Sequence, residues 1–546
     1  MKRRFFLRNT VLGGLSIPFL ASSCESSGAA PDPTGSSEDI QAPNVETDEF
    51  VLLETTVAEL QEKMENGTWT ARQITQWYLD RIAAIDDSGP TLNAVIEVNP
   101  EALAIADQLD RERSNGNVRG PLHGIPVMIK DNIDTADQMQ TTAGALVMAG
   151  NVAEQDAFIV SKLRNAGAIL LGKTNLSEWA NFRSTRSSSG WSGRGGQCKN
   201  PYVLSRNPCG SSSGSGAAVS ANLCAITIGT ETNGSIVCPA NANGVVGIKP
   251  TVGLWSRTGI IPISATQDTA GPMARTVRDA AILLGPLTGE DSTDVKTSES
   301  LGRSHEDYTQ FLDAQGLRGS RIGVVRNMMG FHEGVDLALE NAFEAMREQG
   351  AEVIDLDYPE EWEGLGGAGY NVLLYEFKDG VNAYLKNANP DSGVKTLADI
   401  IAWNEAHEDR AMPFFKQEIL EAAQEKGDLT TQEYLEAVEK TVSQSRKGIE
   451  RLIRENDLDA IVGPTGGPAW TTDVINGDKF GGGSSSPAAR AGYPNITVPA
   501  GFVEGLPFGL SFFGEAYAEP ALLKVAYAFE QATQMRRPPK FREQLI

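Results

Sequence analysis

Two clusters of glycine and serine, at either end of a short apolar segment, constrain this chain more than any other feature. They occupy 209–216 and 229–235, within the stretch from Pro208 to Pro250. Glycine-rich turns let the backbone approach a ligand closely and leave N–H groups pointing outward. The residues between them, 217–228, are small and apolar, which predicts a buried helix followed by a short strand. Because apolar sequence surrounds both clusters, we interpret them as structured turns rather than linkers, with hydroxyl groups that are candidate nucleophiles.

A serine nucleophile needs a neighbouring base, and its usual partner is histidine. The chain has four histidines, and none lies in a motif-like setting. Lys130 is different, because it ends an apolar run at 125–129 that predicts a buried strand. Burial disfavours the charged form of lysine and lowers its pKa, which makes the amine a usable base. The alternative is that Lys130 only caps the edge of a strand.

Several segments, in order along residues 56–533, resemble the amidase signature family. They read HGIPVMIKDN, CGSSSGSGAAV, GTETNGSIVCPA, GIKPTVGLWSRTGIIPISATQDTAGPMARTVRDAA, AGYPNITVPAGF and GLPFGLSFFG. The resemblance implies an α/β protein with the amidase signature fold, a large mixed and mostly parallel β-sheet flanked on both faces by helices. The strand, helix and strand patterns at 321–325, 334–349 and 352–356 also favour helices on a mostly parallel sheet.

The same resemblance implies a Ser–cis-Ser–Lys triad without a cofactor or a metal ion. Ser235 would be the nucleophile that accepts the acyl group, Ser211 the bridging serine with the cis peptide, and Lys130 the base. The negative oxygen that forms during attack needs preorganised donors. By the resemblance, these are the backbone N–H groups of Thr232, Asn233, Gly234 and Ser235.

Around the predicted nucleophile the chain departs from the commonest family pattern, Asp-x-Gly-Gly-Ser-Ile-Arg. Glu231, Asn233 and Val237 stand in place of the aspartate, the first glycine and the arginine. The form Thr-Glu-Thr-x-Gly-Ser with a following Cys-Pro is most similar to the peptide amidase branch, which removes the C-terminal amide of peptides. The resemblance therefore implies an amidohydrolase that releases ammonia from peptide amides through a serine acyl-enzyme.

Other functions stay open at this point. The same triad serves amidases for small aliphatic, aryl or fatty-acid amides, and a glutamyl-tRNA amidotransferase subunit is a further possibility. From another class, the chain could be a lipoprotein that binds amides without turnover. The net charge of −24 argues against a nucleic-acid partner, which requires a basic face. We expect a small-molecule or peptide amide as the substrate and infer no obligate protein partner.

The N-terminus predicts an exported protein. A basic segment with a twin-arginine pattern, Arg3-Arg4, precedes an apolar run at 11–21 that is too short for a typical spanning helix. The run closes at Ala-Ser-Ser-Cys24, which resembles a bacterial lipobox and predicts lipid attachment at Cys24. The alternative is an ordinary signal peptide followed by a chance cysteine. We expect a periplasmic or cell-envelope lipoprotein of a bacterium, with contact to the membrane only through the lipid anchor.

These patterns predict a simple domain organisation. A signal peptide at 1–23 precedes a disordered tether at 24–49, which is rich in serine, proline and acidic residues. A single amidase domain then follows at 50–546. A variable insertion around 360–440, with little family pattern, is expected to shape much of the substrate pocket.

A nucleotide-binding motif and the cysteines are two further features of the sequence. Residues 167–174 match the letters of a phosphate-binding Walker A loop, but no strand leads into Gly167 and the intervening residues are apolar, so we predict no nucleotide site. Four cysteines lie within the predicted domain. We favour small buried thiols for them, with a disulfide as the alternative that export would permit, and the sequence gives no pairing. The four cysteines are Cys198, Cys209, Cys224 and Cys238.

Overall fold

An eleven-stranded sheet organises the part of the chain that the computed structural model describes, residues 49–545. The predicted signal peptide, Cys24 and the predicted tether up to residue 48 lie outside the described residues and stay predictions. The strands of the described part are β1 (Val95–Val98), β2 (Pro126–Lys130), β3 (Ile169–Thr174), β4 (Trp191–Ser192), β5 (Gly196–Gln197), β6 (Ile226–Glu231), β7 (Val246–Lys249), β8 (Thr269–Ala274), β9 (Arg321–Val325), β10 (Glu352–Leu356), β11 (Ala460–Pro464), β12 (Asn495–Val503) and β13 (Leu506–Phe513).

The large sheet is mixed, with the order β1-β3-β2-β6-β8-β7-β12-β13-β11-β9-β10, while β4 and β5 form a separate pair. The pairs β2·β3, β2·β6, β9·β11 and β9·β10 are parallel, and the other neighbours are antiparallel. The expected mixed sheet is confirmed, but the expectation that it is mostly parallel is corrected. The alternating pattern that suggested it covers only β9 to β10, whereas β12 and β13 form a tight hairpin through Glu504 and Gly505, both with positive φ.

Helices flank this sheet, and every residue of β2, β3 and β6 is buried, so both faces are covered there. The α-helices of the described residues are α1 (Val57–Glu65), α2 (Ala71–Arg81), α3 (Ala102–Ser114), α4 (Phe158–Asn165), α5 (Ser213–Ser220), α6 (Val237–Ala242), α7 (Val277–Leu284), α8 (Glu333–Glu348), α9 (Gly366–Leu385), α10 (Leu397–Ala406), α11 (Glu408–Ala411), α12 (Glu418–Gln424), α13 (Gln432–Val438), α14 (Gln444–Asn456), α15 (Ser485–Ala491) and α16 (Glu519–Thr533).

Local sequence patterns correctly predicted several of these helices and strands. Thr70 caps α2, and its side chain and that of Gln73 bond reciprocally to each other's backbone N–H, as the capping-box pattern predicts. The order β9, α8 and β10 also follows the predicted pattern. One boundary differs from expectation, because α5 begins at Ser213, inside the first Gly/Ser cluster. Half of that cluster is therefore helix rather than turn.

The segment around 360–440, between β10 and β11, is helical and contains α9 to α13. Leu374, Phe377 and Val381 of α9 belong to a second hydrophobic cluster, with Val147 and Leu176 from the loops that follow β2 and β3. This packing holds α9 over the loops that follow β2 and β3. Within residues 49–545, no helix combines the length and hydrophobicity that a membrane span requires.

Candidate active site

Lys130 is the last residue of β2, and its side chain is fully buried. Strands β2 and β6 are parallel, with Ile129 opposite Ile228, so their carboxyl ends meet at the same edge of the sheet. There Lys130 Nζ lies 2.8 Å from Ser211 Oγ, 2.8 Å from Thr230 Oγ1 and 3.3 Å from the Thr230 carbonyl oxygen. Among the described residues, no carboxylate forms an ion pair with this amine. Its partners are therefore neutral oxygens.

Ser211 lies in the turn that leads into α5, and its side chain is also fully buried. The peptide bond between Gly210 and Ser211 is cis, as predicted. The neighbouring Ser212 fastens this turn to β6, since its hydroxyl donates to the Thr230 carbonyl at 3.0 Å and accepts from the Thr230 N–H at 3.1 Å. These contacts hold Ser211 Oγ against the lysine amine.

Ser235 lies just before α6 and is half-buried. The Ser212 N–H donates to its carbonyl oxygen at 3.2 Å, which joins the two Gly/Ser turns directly. The Ser235 hydroxyl has no hydrogen-bond partner among the described residues, Ser211 Oγ included. Hydrogen bonds between catalytic groups are often long in ligand-free proteins and tighten when substrate binds. The hydroxyl of Ser235 is thus the exposed member of the predicted triad, while Ser211 and Lys130 lie behind it.

The turn from Glu231 to Ser235 carries the predicted oxyanion donors. Within the described residues, the N–H groups of Thr232, Asn233 and Ser235 have no acceptor. The Gly234 N–H differs from the prediction, because it donates to Glu231 Oε1 at 2.7 Å. The other oxygen of the same carboxylate accepts from the N–H groups of residues 236 and 237, at 2.8 and 3.1 Å. Glu231 therefore holds the turn in shape, a role that the sequence did not reveal.

Burial sets the protonation state of this centre. It lowers the pKa of Lys130 from 10.5 to about 7, even though the negative charges of Asp268 and Glu231 act to raise it. Asp268 accepts a hydrogen bond from Thr232 Oγ1 at 2.5 Å, and burial raises its own pKa to about 6. Near neutral pH a substantial fraction of the amine is therefore uncharged and able to accept a proton, and that fraction grows as pH rises. The role of Asp268 was missed, although it lies in a segment that carried the family resemblance.

A disulfide bond corrects the prediction of four free thiols. Cys209 and Cys238 are joined, whereas Cys198 and Cys224 are free and buried as expected. The pairing follows from the fold, since Cys209 precedes the Ser211 turn and Cys238 lies in the first turn of α6, after Ser235. The bond therefore links the segments that carry the two serines, which the spacing of cysteines in the sequence could not indicate.

The Walker A look-alike is part of the protein core. Lys173 of β3 is fully buried and donates to the Ile133 carbonyl at 2.6 Å and to Thr141 Oγ1 at 3.0 Å. A phosphate-binding lysine must instead reach into an open glycine-rich loop. The groups around this amine hold the loop after β2 in place rather than bind a ligand.

Among the described residues there is no cluster of three or more His, Cys, Asp or Glu side chains suited to a metal ion.

A cavity of about 830 Å³ adjoins the site. Thr230 and Thr232, which belong to the segment leading to Ser235, line it, and α9 contributes Glu376, Gly380 and Tyr384. Helix α9 belongs to the segment around 360–440, so part of that segment lines the cavity; that it shapes the substrate pocket stays a prediction. The volume lies within the range of small-molecule and peptide-binding clefts.

The Amidase family model matches residues 73–523 of the chain. This chain belongs to the amidase family. A probable amidase of Arabidopsis thaliana is 44% identical to it over 501 residues, which cover 90% of this amidase and 92% of the plant protein.

Solved structures of peptide amidases are also similar to this amidase. The native peptide amidase of Stenotrophomonas maltophilia superposes with a TM-score of 0.86 at 49% identity, covering 90% of this chain and 99% of that one. A peptide amidase in complex with the competitive inhibitor chymostatin superposes with a TM-score of 0.87 at 50% identity, with the same coverage. These findings confirm the predicted family, the amidase signature fold and the assignment as a hydrolase of amide bonds.

Proposed function

We propose that this amidase hydrolyses the C-terminal carboxamide of peptides through an acyl-enzyme on Ser235, with release of ammonia. The observation that carries the proposal is the contact of 2.8 Å between Lys130 Nζ and Ser211 Oγ, made by a fully buried amine without an ion-pair partner among the described residues. The choice of peptide amides is supported by the likeness to peptide amidases over 90% of the chain.

The reaction would begin with proton transfer along the buried groups. Neutral Lys130 accepts the proton of the Ser211 hydroxyl while Ser211 takes the proton of Ser235, which frees the Ser235 oxygen to attack the amide carbonyl carbon. The carbonyl oxygen becomes negative and receives hydrogen bonds from the unpaired N–H groups of the turn at 232–235. Attack thus leaves the proton on the lysine and the negative charge beside fixed donors.

Collapse of the tetrahedral intermediate completes the first half of the reaction. The C–N bond breaks as the relay returns its proton to the nitrogen, so that ammonia leaves and an ester on Ser235 remains. Water then attacks the ester with the same relay as the base, and the peptide acid departs. No cofactor enters any of these steps.

Ser235→Ala tests the proposal most directly. We expect ammonia release from peptide amides to fall by about 10⁴-fold or more, because the atom that forms the ester is removed. Labelling by a fluorophosphonate, which traps activated serines, should disappear as well. Undiminished labelling or turnover in the variant would refute the role of Ser235.

Ser213→Ala is the matched control for that experiment. Its hydroxyl lies in the same buried cluster but donates to the Cys209 carbonyl at 2.6 Å, away from the lysine. We expect this variant to lose about 1 kcal/mol of stability and to keep its labelling.

A panel of peptide, aryl and fatty amides, assayed by ammonia release, separates the proposed substrate class from the alternatives. Higher kcat/KM for aryl or fatty amides would favour those alternatives.

A further inference from the structure

The cavity lined by Thr230 and Thr232 has an excess of acidic side chains. Two of its acidic lining residues are already neutralised: Asp294 pairs with Arg257 at 2.5 Å, and Asp156 pairs with Arg164 at 2.9 Å. The contacts with Asp294 also satisfy Arg257, the arginine of the cavity wall. The charged lining residues outside these two ion pairs therefore determine the electrostatic potential inside the cavity.

The remaining lining charges are mostly negative. One exposed lysine, Lys386, lies at the cavity. Against it stand carboxylates that have no ion-pair partner within the described residues. They are Asp134, Glu154, Asp268, Glu376 and Asp379.

The buried members of this set receive only neutral donors. The Tyr384 hydroxyl donates to Asp134 at 2.8 Å, and the Tyr434 hydroxyl donates to Glu376 at 2.7 Å. Hydroxyl groups solvate a carboxylate but do not cancel its charge. The positive charges of Lys173 and Arg257 act on Asp134 and Asp268 without forming ion pairs with them. The carboxylates that line the cavity still outnumber its lining cations, so this concave site carries a negative potential. Burial raises the pKa of Asp134 and of Asp268 to about 6, and both are therefore ionised at pH 8.

A buried amide oxygen in the same wall, Asn132 Oδ1, independently indicates that a ligand donates a hydrogen bond here. Asn132 is only 3% exposed and lines the cavity. Its Nδ2 donates to Thr230 Oγ1 at 3.1 Å, but its Oδ1 has no hydrogen-bond partner within residues 49–545. Buried polar atoms normally have partners, and this one lies next to the groups that contact Lys130. A ligand with N–H donors would supply what the site lacks.

The cavity also has an apolar side. Ile260, Ile261, Pro262 and Ile263 form a continuous stretch of its wall, and Ala383 of α9 also lines it. A hydrocarbon chain can pack along such a surface while a charged end reaches the carboxylates, as lysine and arginine side chains do elsewhere. The site thus fits a long side chain with a cationic tip.

We propose that this cavity receives a basic side chain of the acyl group, so that the amidase prefers peptides whose C-terminal residue is a lysine amide or an arginine amide. The inference rests on the proposed function, since the acyl group must be bound to Ser235 for its side chain to enter the cavity next to Thr230 and Thr232. The ammonium or guanidinium group donates to the unpaired carboxylates, and the methylene chain packs on the isoleucine wall.

The test compares two amides that differ in one charge. N-acetyl-lysine amide and N-acetyl-norleucine amide have side chains of similar length, and ammonia release at pH 8 gives kcat/KM for each. We expect the lysine amide to be better by at least about tenfold at low salt, with N-acetyl-glutamate amide the poorest. The preference should shrink in about 0.5 M salt, because salt screens the attraction.

Two isosteric variants locate the preference in this cavity. Asp134→Asn and Asp379→Asn each remove one charge with little change in shape, and each should lower the lysine-to-norleucine ratio by about threefold to tenfold. Glu405→Gln is the matched control, because Glu405 is exposed on α10 and does not line the cavity. It should leave the ratio unchanged.

The outcomes separate this inference from the proposed function. Equal kcat/KM for the lysine and norleucine amides would overturn the inference while leaving peptide amide hydrolysis in place. A preference for lysine that survives in both aspartate variants would place its origin elsewhere and would also overturn it. If neither amide is hydrolysed while aryl or fatty amides are, the proposed function fails and the inference fails with it.

Discussion

Lys130 and Lys173 lie on neighbouring parallel strands, and both side chains are fully buried. The register places Lys173 opposite Ile129 and Lys130 opposite Thr174. Because successive side chains of a strand point to opposite faces, the two lysines face opposite sides of the sheet. Thr174, on the side of Lys130, contacts Ser215 of α5 at 2.7 Å, which places the Ser211 turn on that side.

The difference between the two lysines lies in what their amines contact. Burial lowers the pKa of both, most strongly through the loss of hydration. Lys173 donates to a backbone carbonyl and a threonine, and four carboxylates, including Asp131 and Asp134, favour its charge. Lys130 likewise contacts a threonine hydroxyl and a backbone carbonyl, but it also contacts the hydroxyl of Ser211, next to the turn that carries Ser235. Burial alone therefore does not make a base, and the partner of the amine decides its use.

Replacement of each lysine by methionine should reveal the difference between the two sites most clearly. We expect Lys130→Met to lower kcat by roughly 10²- to 10⁴-fold, because the relay loses its proton acceptor. Lys173→Met should keep kcat per folded molecule but reduce the free energy of unfolding by about 1–3 kcal/mol, because it leaves a buried carbonyl without a donor. Steady-state kinetics and denaturant unfolding measure the two effects. A large loss of kcat in Lys173→Met alone would reverse our interpretation of the two sites.

The pH dependence gives a smaller but more specific effect. Only the neutral form of Lys130 accepts a proton, so kcat/KM should rise with pH, reach half its maximum near the lysine pKa of about 7, and fall about tenfold per pH unit below it. The unfolded chain binds more protons than the folded one between pH 7 and 10.5, so this lysine makes folding more favourable as pH rises through that window. A flat profile from pH 5 to 9 would contradict the assignment of Lys130 as the base.

Asp268→Asn should give the smallest effect and sharpen the contrast between the lysines. The charge of Asp268 raises the pKa of Lys130, so its removal should lower that pKa and move the acid limb of the kcat/KM profile to lower pH. The gain should be a few-fold near pH 6.5 and should fade below pH 6, where Asp268 is itself protonated. Glu405→Gln again serves as the control. A shift toward higher pH in Asp268→Asn would show that its charge acts in another way.

Part of this site could be predicted from the chain and part could not. The residue types and order of the motifs led to Ser235, Ser211 and Lys130, and the structure brings Lys130 against Ser211. The engagement of the Gly234 N–H by Glu231 could not be foreseen, because it depends on how one turn folds back on a side chain. The same holds for the negative cavity, whose walls come from distant segments of the chain.

Local chemistry in the sequence determined the caps of helices such as α2, the strand patterns of β9 and β10, and the glycines and hydroxyls of the two clusters. These depend on residues within a few positions of one another, and so they can be predicted without the fold. Tertiary structure alone decided that Cys209 joins Cys238 and that most strand pairs of the mixed sheet are antiparallel. Those outcomes depend on the pairing of strands and on the face of the sheet that each side chain occupies, which residues far apart in the chain settle together.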